Sequence, residues 1–278
     1  AIGVAAVVLV LVSSGKSHHQ PRPVQVVRPV RTTATQTAPR PRPVPTDVPW
    51  PLYGYDLART RFFPHGQKLG APLHVGWKFQ DGALLEFPPV IYDNTLYFED
   101  GNGSAKAVST TNGHVLWQRK VGSLAAASPA LDIRHKIAFF TLLSTSPGAA
   151  VPGNGGVVAV SMKTGKIVWS HALAPGSESS PLCHGLSMFL GDQGGTIYSF
   201  RTYDGHLNWA FGASGAVKGG VAFAHDTVYF GDYGGHVYAV NAANGQEIWS
   251  AGGGDSFYST PAVAFGRVYI GNTNGDVY

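Results

Sequence analysis

Five of the six tryptophans in this chain stand in a single register. Trp77, Trp117, Trp169, Trp209 and Trp249 follow one another at intervals of 40, 52, 40 and 40 residues. The stretches Val108–Trp117, Val160–Trp169, Phe200–Trp209 and Val240–Trp249 align without a gap. Each has an apolar residue, four variable residues, a glycine (Gly113, Gly165, Gly205, Gly245), three more residues, then tryptophan. A fixed period of this length marks an array of small units that bury their apolar faces against one another. Composition agrees. Gly (36) and Pro (19) make up about a fifth of the 278 residues, which disfavours a helical bundle.

Within one unit the pattern is that of strands. Gly220–His225 reads as a small-residue strand, Thr227–Phe230 as a second, His236–Val240 as a third and Gln246–Trp249 as a fourth. The turns between them carry Gly231-Asp232-Tyr233-Gly234-Gly235 and Asn244-Gly245, residues suited to tight hairpins. The first of these signatures recurs at Gly191–Gly195 and Gly271–Gly275, with Asp100–Gly103 in the same slot. Four short strands every 40 residues describe one blade of a β-propeller. A β-sandwich predicts no such spacing of tryptophan. The fold class expected is therefore all-β, a propeller of four-stranded antiparallel blades.

This repeat resembles the PQQ-like, tryptophan-docking β-propeller family, which includes quinoprotein alcohol dehydrogenases and an outer-membrane assembly lipoprotein. The resemblance covers about 77–278, and Trp50–Arg61 is similar to the family's lead-in segment. It implies that each tryptophan lies on an outer strand and packs between neighbouring blades. Where the family usually has Asp four residues before the glycine, this chain has Ser109, Ser161, Arg201 and Asn241, so its repeats are divergent. No repeat tryptophan is followed by Asp, unlike WD40 units. Trp77 has Leu73 in place of the glycine and no preceding strands, so it is expected to be a lone outer strand offered to the last blade. The sequence stops at Tyr278 in the third strand of a fifth unit. The propeller is therefore expected to be incomplete, an open arc cut at both ends.

Before the repeats lie two other segments. Residues 1–12 are an unbroken apolar run, too short to span a bilayer, and are expected to be the end of a membrane anchor or export signal. Residues 13–49 hold eight prolines, with Pro-Arg-Pro at 21–23, 39–41 and 41–43, and are expected to be an extended linker. The linker carries a net charge of +5, whereas residues 50–278 carry −1. The basicity of the chain thus belongs to the linker, and nucleic acid is not an expected partner. Six basic residues after the apolar run would favour a cytoplasmic linker. The resemblance implies instead that the propeller lies outside the cytoplasm, and that location is expected.

The resemblance implies, for the dehydrogenases, a quinone in the central channel with Ca²⁺ and a disulfide between adjacent cysteines. Cys183 stands alone, so no cofactor is expected; PQQ and calcium enter only under a dehydrogenase alternative. Cys183 itself reads as a small buried apolar residue, and the recurrent Asp192 and Asp232 read as turn residues. The 52-residue unit carries its extra residues at 143–155, between its second and third strands. Ser144, Thr145, Ser146 and Asn154 in that loop are the candidate contact residues. The function expected is a membrane-tethered, extracytoplasmic, non-catalytic binding or scaffolding module for a protein or cell-envelope ligand. The alternatives are a quinoprotein dehydrogenase and the external sensor of a receptor Ser/Thr kinase.

Overall fold

The computed structural model of the protein describes residues 49–63, 72–144 and 155–278. Every regular element in them is a strand. Blade 1 consists of β1 (Val90–Tyr92), β2 (Thr95–Glu99), β3 (Ser104–Ser109) and β4 (Val115–Lys120). Blade 2 consists of β5 (Ala130–Asp132), β6 (Ile137–Leu142), β7 (Gly156–Ser161) and β8 (Ile167–Ala172). Blade 3 consists of β9 (Leu182–His184), β10 (Ser187–Gly191), β11 (Thr196–Arg201) and β12 (Leu207–Gly212). Blade 4 consists of β13 (Ala222–Ala224), β14 (Thr227–Gly231), β15 (His236–Asn241) and β16 (Glu247–Gly252). A fifth unit begins with the pair β17 (Ala262–Ala264) and β18 (Arg267–Tyr269), followed by a bridge between Gly271 and Val277. Each blade is an antiparallel meander in chain order. The expected all-β propeller of four-stranded blades is thus present, with four complete blades and part of a fifth among the described residues. The apolar run 1–12 and the linker 13–48 lie outside the described residues.

Register explains the sequence repeat. Trp117, Trp169, Trp209 and Trp249 pair with Ala107, Ala159, Ser199 and Ala239, and each blade has its register shift at the next residue of the third strand. The indoles of Trp117, Trp169 and Trp209 then cross to the following blade, and Trp77 docks on blade 1 in the same way. The indole N–H of Trp77 donates to Thr110 O (2.7 Å), of Trp117 to Met162 O (2.8 Å), of Trp169 to Thr202 O (2.8 Å) and of Trp209 to Ala242 O (2.9 Å). The motif glycine is the floor beneath each ring. A Cβ at Gly113, Gly165, Gly205 or Gly245 would lie 2.6–2.8 Å from a ring atom of the docked tryptophan. The same glycines have φ near +70°, a backbone that L side chains rarely adopt. Burying an indole of 150–250 Å² contributes roughly 4–6 kcal/mol as an upper bound. Trp169 and Trp209, with a blade on both sides, are 9% and 8% exposed, whereas Trp249 is 39% exposed.

Trp77 differs from the expectation in one respect. Residues 72–81 pair with no strand among the described residues, yet Trp77 docks on blade 1 as the other tryptophans dock on theirs. A buried ion group fixes this segment. Lys106 of β3 lies 2.8 Å from Asp81 and also bonds Asp100, with all three side chains nearly inaccessible. Burial alone would raise the Asp100 carboxyl, but Lys106 and the Ser104 amide outweigh it and hold it below the usual range. The other Oδ of Asp100 accepts from the amides of Asn102 and Ser104 and so shapes the β2–β3 turn. Asp192, Asp232 and Asn272 repeat this turn contact. The aspartates read from the sequence as turn residues serve that role.

Glu99 breaks the pattern. It takes the place of Gly191 and Gly231 at the end of the second strand, where the next blade packs closest. Neither of its carboxyl oxygens has a hydrogen-bond partner. Burial first, and Asp100 second, push its pKa well above the ordinary value.

Two outcomes follow for measurement. Gly205→Ala drives a methyl into Trp169 and should cost about 2–5 kcal/mol from overpacking and backbone strain. Gly266→Ala has a similar φ but open space around it, and should cost only about 1–2 kcal/mol. Urea unfolding of both variants checks this, and equal losses would refute the docking role. For Glu99, the folded state binds the proton more tightly than the unfolded chain. Stability should therefore fall as pH rises from the ordinary carboxylate range toward the folded pKa. Glu99→Gln should remove that part of the slope, gaining on the parent as pH rises. A parent and variant with parallel pH profiles would contradict the buried, unpaired carboxyl.

Candidate functional site

The inner strands β1, β5, β9, β13 and β17 surround the segment that the family resemblance marks as a lead-in. Trp50 exchanges backbone hydrogen bonds with Ile91 of β1 (2.7 and 2.8 Å). Pro51 O accepts from Leu131 of β5, Leu57 O from Phe223 of β13 and Ala58 O from Val263 of β17, at 2.7–2.9 Å. Arg59 supplies the remaining spoke. Its guanidinium donates to Val221 O (2.7 Å), Pro181 O (3.1 Å), Ser180 O (3.3 Å) and Tyr53 O. It is buried, and burial lowers its pKa to about 9, which leaves it a cation at neutral pH. One short stretch, residues 50–59, thus reaches all five units. Its backbone turns sharply at Gly54 and Tyr55, both at positive φ.

The segment divides the axis into two mouths. Residues just before the inner strands form one of them, on the face where fourth strands lead to first strands. A cavity of about 440 Å³ there is lined by Tyr53, Arg61, Glu86, Glu178, Lys218 and Tyr258, among others. Lys218 pairs with Glu178 at 3.0 Å and lies 4.8 Å over the ring of Tyr233. The bond from Glu178 raises the Lys218 pKa. Arg61 donates to the Tyr53 hydroxyl at 2.7 Å and lies 5.2 Å over its ring. Tyr233 and Tyr258 meet edge to face at 6.0 Å, and Tyr258 is 48% exposed, with burial first and Glu178 second raising its hydroxyl. Leu84 and Leu85 stand exposed just before Glu86. The mouth is concave, aromatic and charge-balanced.

The loop read from the sequence as a contact element lies where expected, between β6 and β7. Of its candidate contact residues only Ser144 is described. Ser144 bridges Leu124, and its hydroxyl is 3.0 Å from that of Ser123, so it ties the loop to the blade 1–blade 2 connection. Thr145, Ser146 and Asn154 lie outside the described residues. Sequence reasoning did not single out Arg59, Arg61, Glu178, Lys218 or Tyr258. They come from four different connections, and no local motif joins them. Cys183 packs partly buried beside blade 2 residues, and burial pushes its thiol well above the ordinary value, which makes it a poor nucleophile. His184, its neighbour, instead stacks on Phe223 at 4.3 Å. Among the described residues, no three of His, Cys, Asp and Glu are grouped so as to hold a metal ion.

Comparison with known proteins places this architecture. A family model described as outer membrane protein assembly factor BamB matches residues 74–192 and 140–278. The curated tetrathionate hydrolase of Acidithiobacillus ferrooxidans is 24% identical over an alignment of 206 residues, covering 55% of this chain and 41% of that protein. The chain thus spans less than half the length of this curated relative. Among solved structures, BamB from Moraxella catarrhalis superposes with a TM-score of 0.57 at 14% identity, covering 73% of this chain and 65% of that one. The quinohemoprotein alcohol dehydrogenase ADHIIG from Pseudomonas putida HK5 gives a TM-score of 0.65 at 14% identity, covering 83% and 46%. At such identities these structures share the fold.

Proposed function

Because the chain belongs to the PQQ-like propeller family described as outer membrane protein assembly factor BamB, we propose that it is a non-catalytic binding module of the cell envelope that takes a protein partner at the mouth lined by Arg61, Lys218 and Tyr258. In this reading the apolar run 1–12 tethers it to a membrane and the propeller lies outside the cytoplasm. No helix among the described residues is long and apolar enough to cross a membrane. The observation that carries the proposal is the composition of that mouth. Tyrosine and arginine are enriched where binding energy concentrates at protein interfaces, tyrosine because it buries a large ring with few rotors and keeps a polar tip, arginine because its planar guanidinium offers a fork of donors. Balanced charges at the rim favour specificity over bulk attraction.

The dehydrogenase alternative asks for a quinone, Ca²⁺ and paired cysteines on the axis. The described residues do not fit that group. They contain one thiol and no acidic cluster for a metal, and the axis is crossed by residues 50–59 with Arg59 bonded to carbonyls. No step is routed through such a cofactor.

A photo-reactive phenylalanine placed at Tyr258 in cells that make the protein should give one discrete adduct with an envelope protein. The same probe at Leu207, on an outer strand, should not. Lys218→Glu should abolish the Tyr258 adduct while leaving the thermal midpoint within a few degrees. Equal labelling from both positions, or an adduct indifferent to Lys218→Glu, would remove the basis for this site.

A further inference from the structure

The opposite mouth has a different chemistry. Where first strands turn into second strands, a cavity of about 510 Å³ opens between the lead-in segment and the ends of β5 and β9. Leu52, Tyr55, Leu131 and Ile133 form apolar and aromatic walls. Two carboxylates, Asp56 and Asp132, stand in the lining, and no Lys or Arg does. Both are fixed as hydrogen-bond acceptors. Asp56 accepts from the Thr60 amide at 2.9 Å and from its hydroxyl. Asp132 accepts from the His135 amide at 3.0 Å and lies 2.6 Å from His135 Nδ1. Arg59 is the nearby buried cation and offsets one of these charges, but its donors are spent on main-chain carbonyls. The lining therefore holds two carboxylates and no Lys or Arg, with His184 in the wall and His135 against Asp132, whereas the other mouth sets Arg61 and Lys218 against Glu86 and Glu178.

We propose that this second mouth is a binding site for a small apolar ligand with a cationic head, an aryl- or alkyl-ammonium. A concave, mostly apolar pocket with a few converging polar groups is the usual form of a small-molecule site. Carboxylates set beside low-dielectric walls attract a cation more strongly than the same charges in open water. Tyr55 adds an aromatic face, which favours ammonium groups over neutral ones. The walls are strand ends and a hydrogen-bonded lead-in, so little ordering is needed on binding. The site lies on the face opposite the proposed protein-binding mouth, and the inference does not depend on that reading.

The test is titration of the full chain with 2-phenylethylamine, 2-phenylethanol and phenylacetate, followed by calorimetry and saturation-transfer NMR. These probes have similar bulk and differ in head-group charge. The amine should bind at least tenfold more tightly than the alcohol, and phenylacetate should bind least. Asp56→Asn and Asp132→Asn should each weaken the amine several-fold and leave the alcohol nearly unchanged. If Asp132→Asn unfolds the protein by releasing His135, Asp56→Asn decides alone. Gly185 lines the cavity at positive φ with open space around it, so Gly185→Lys should place an ammonium near the carboxylates and block the amine. Failure of the amine to bind would overturn the proposal. So would an alcohol bound as tightly as the amine, or amine affinity unmoved by the Asn variants.

Discussion

The contact between a tryptophan and a glycine of the next blade is what the rest of the structure depends on. It joins three requirements at one place. The hairpin between third and fourth strands needs a residue at positive φ, the indole needs a flat floor, and its N–H needs an acceptor. Gly165, for instance, meets the first two for Trp117, and Met162 O meets the third. A side chain at the glycine would break the turn and the docking together. Each blade is therefore coupled to its neighbour by its own turn, and the array propagates unit by unit.

Docking between blades leaves the axis to be filled, and the lead-in segment fills it. The inner strands are only three residues long and could not hold one another. Residues 50–59 bridge them with main-chain bonds and with one buried arginine. The planar guanidinium can serve several carbonyls in different directions, which lysine could not do as well. The same segment separates two mouths of unlike character. One is balanced in charge and rich in tyrosine. The other is apolar with excess carboxylate. The two proposed sites therefore lie on opposite faces of the lead-in segment.

Departures from the repeat are informative because the repeat supplies the reference. Lys106 stands where other blades have Val158, Tyr198 and Tyr238, and it secures Asp81 of the segment that leads into blade 1. Removing one member of such a buried ion group leaves an uncompensated charge, a loss of about 3–5 kcal/mol. Glu99 has no such compensation. Its carboxyl is confined to a place built for glycine elsewhere, so the blade 1–blade 2 interface carries a cost that grows with its ionisation.

The sequence by itself determined the blades. The spacing of Trp117, Trp169, Trp209 and Trp249, the hairpin glycines and the short apolar runs between turn residues specify the strands and the fold class, because these are set by local backbone geometry and by a period that repeats along the chain. Turn aspartates such as Asp192 were legible for the same reason. The sequence also showed that a loop departs from the repeat after Leu142, though not what it touches. Only the tertiary structure decided how Arg59 reaches Ser180, Pro181 and Val221, how Asp81 meets Lys106, and that Arg61, Glu178, Lys218 and Tyr258 share one mouth while Asp56 and Asp132 share the other. These residues lie tens to hundreds of positions apart and carry no common motif. Their meeting depends on how the blades are arranged around the axis, a long-range property that no local pattern encodes.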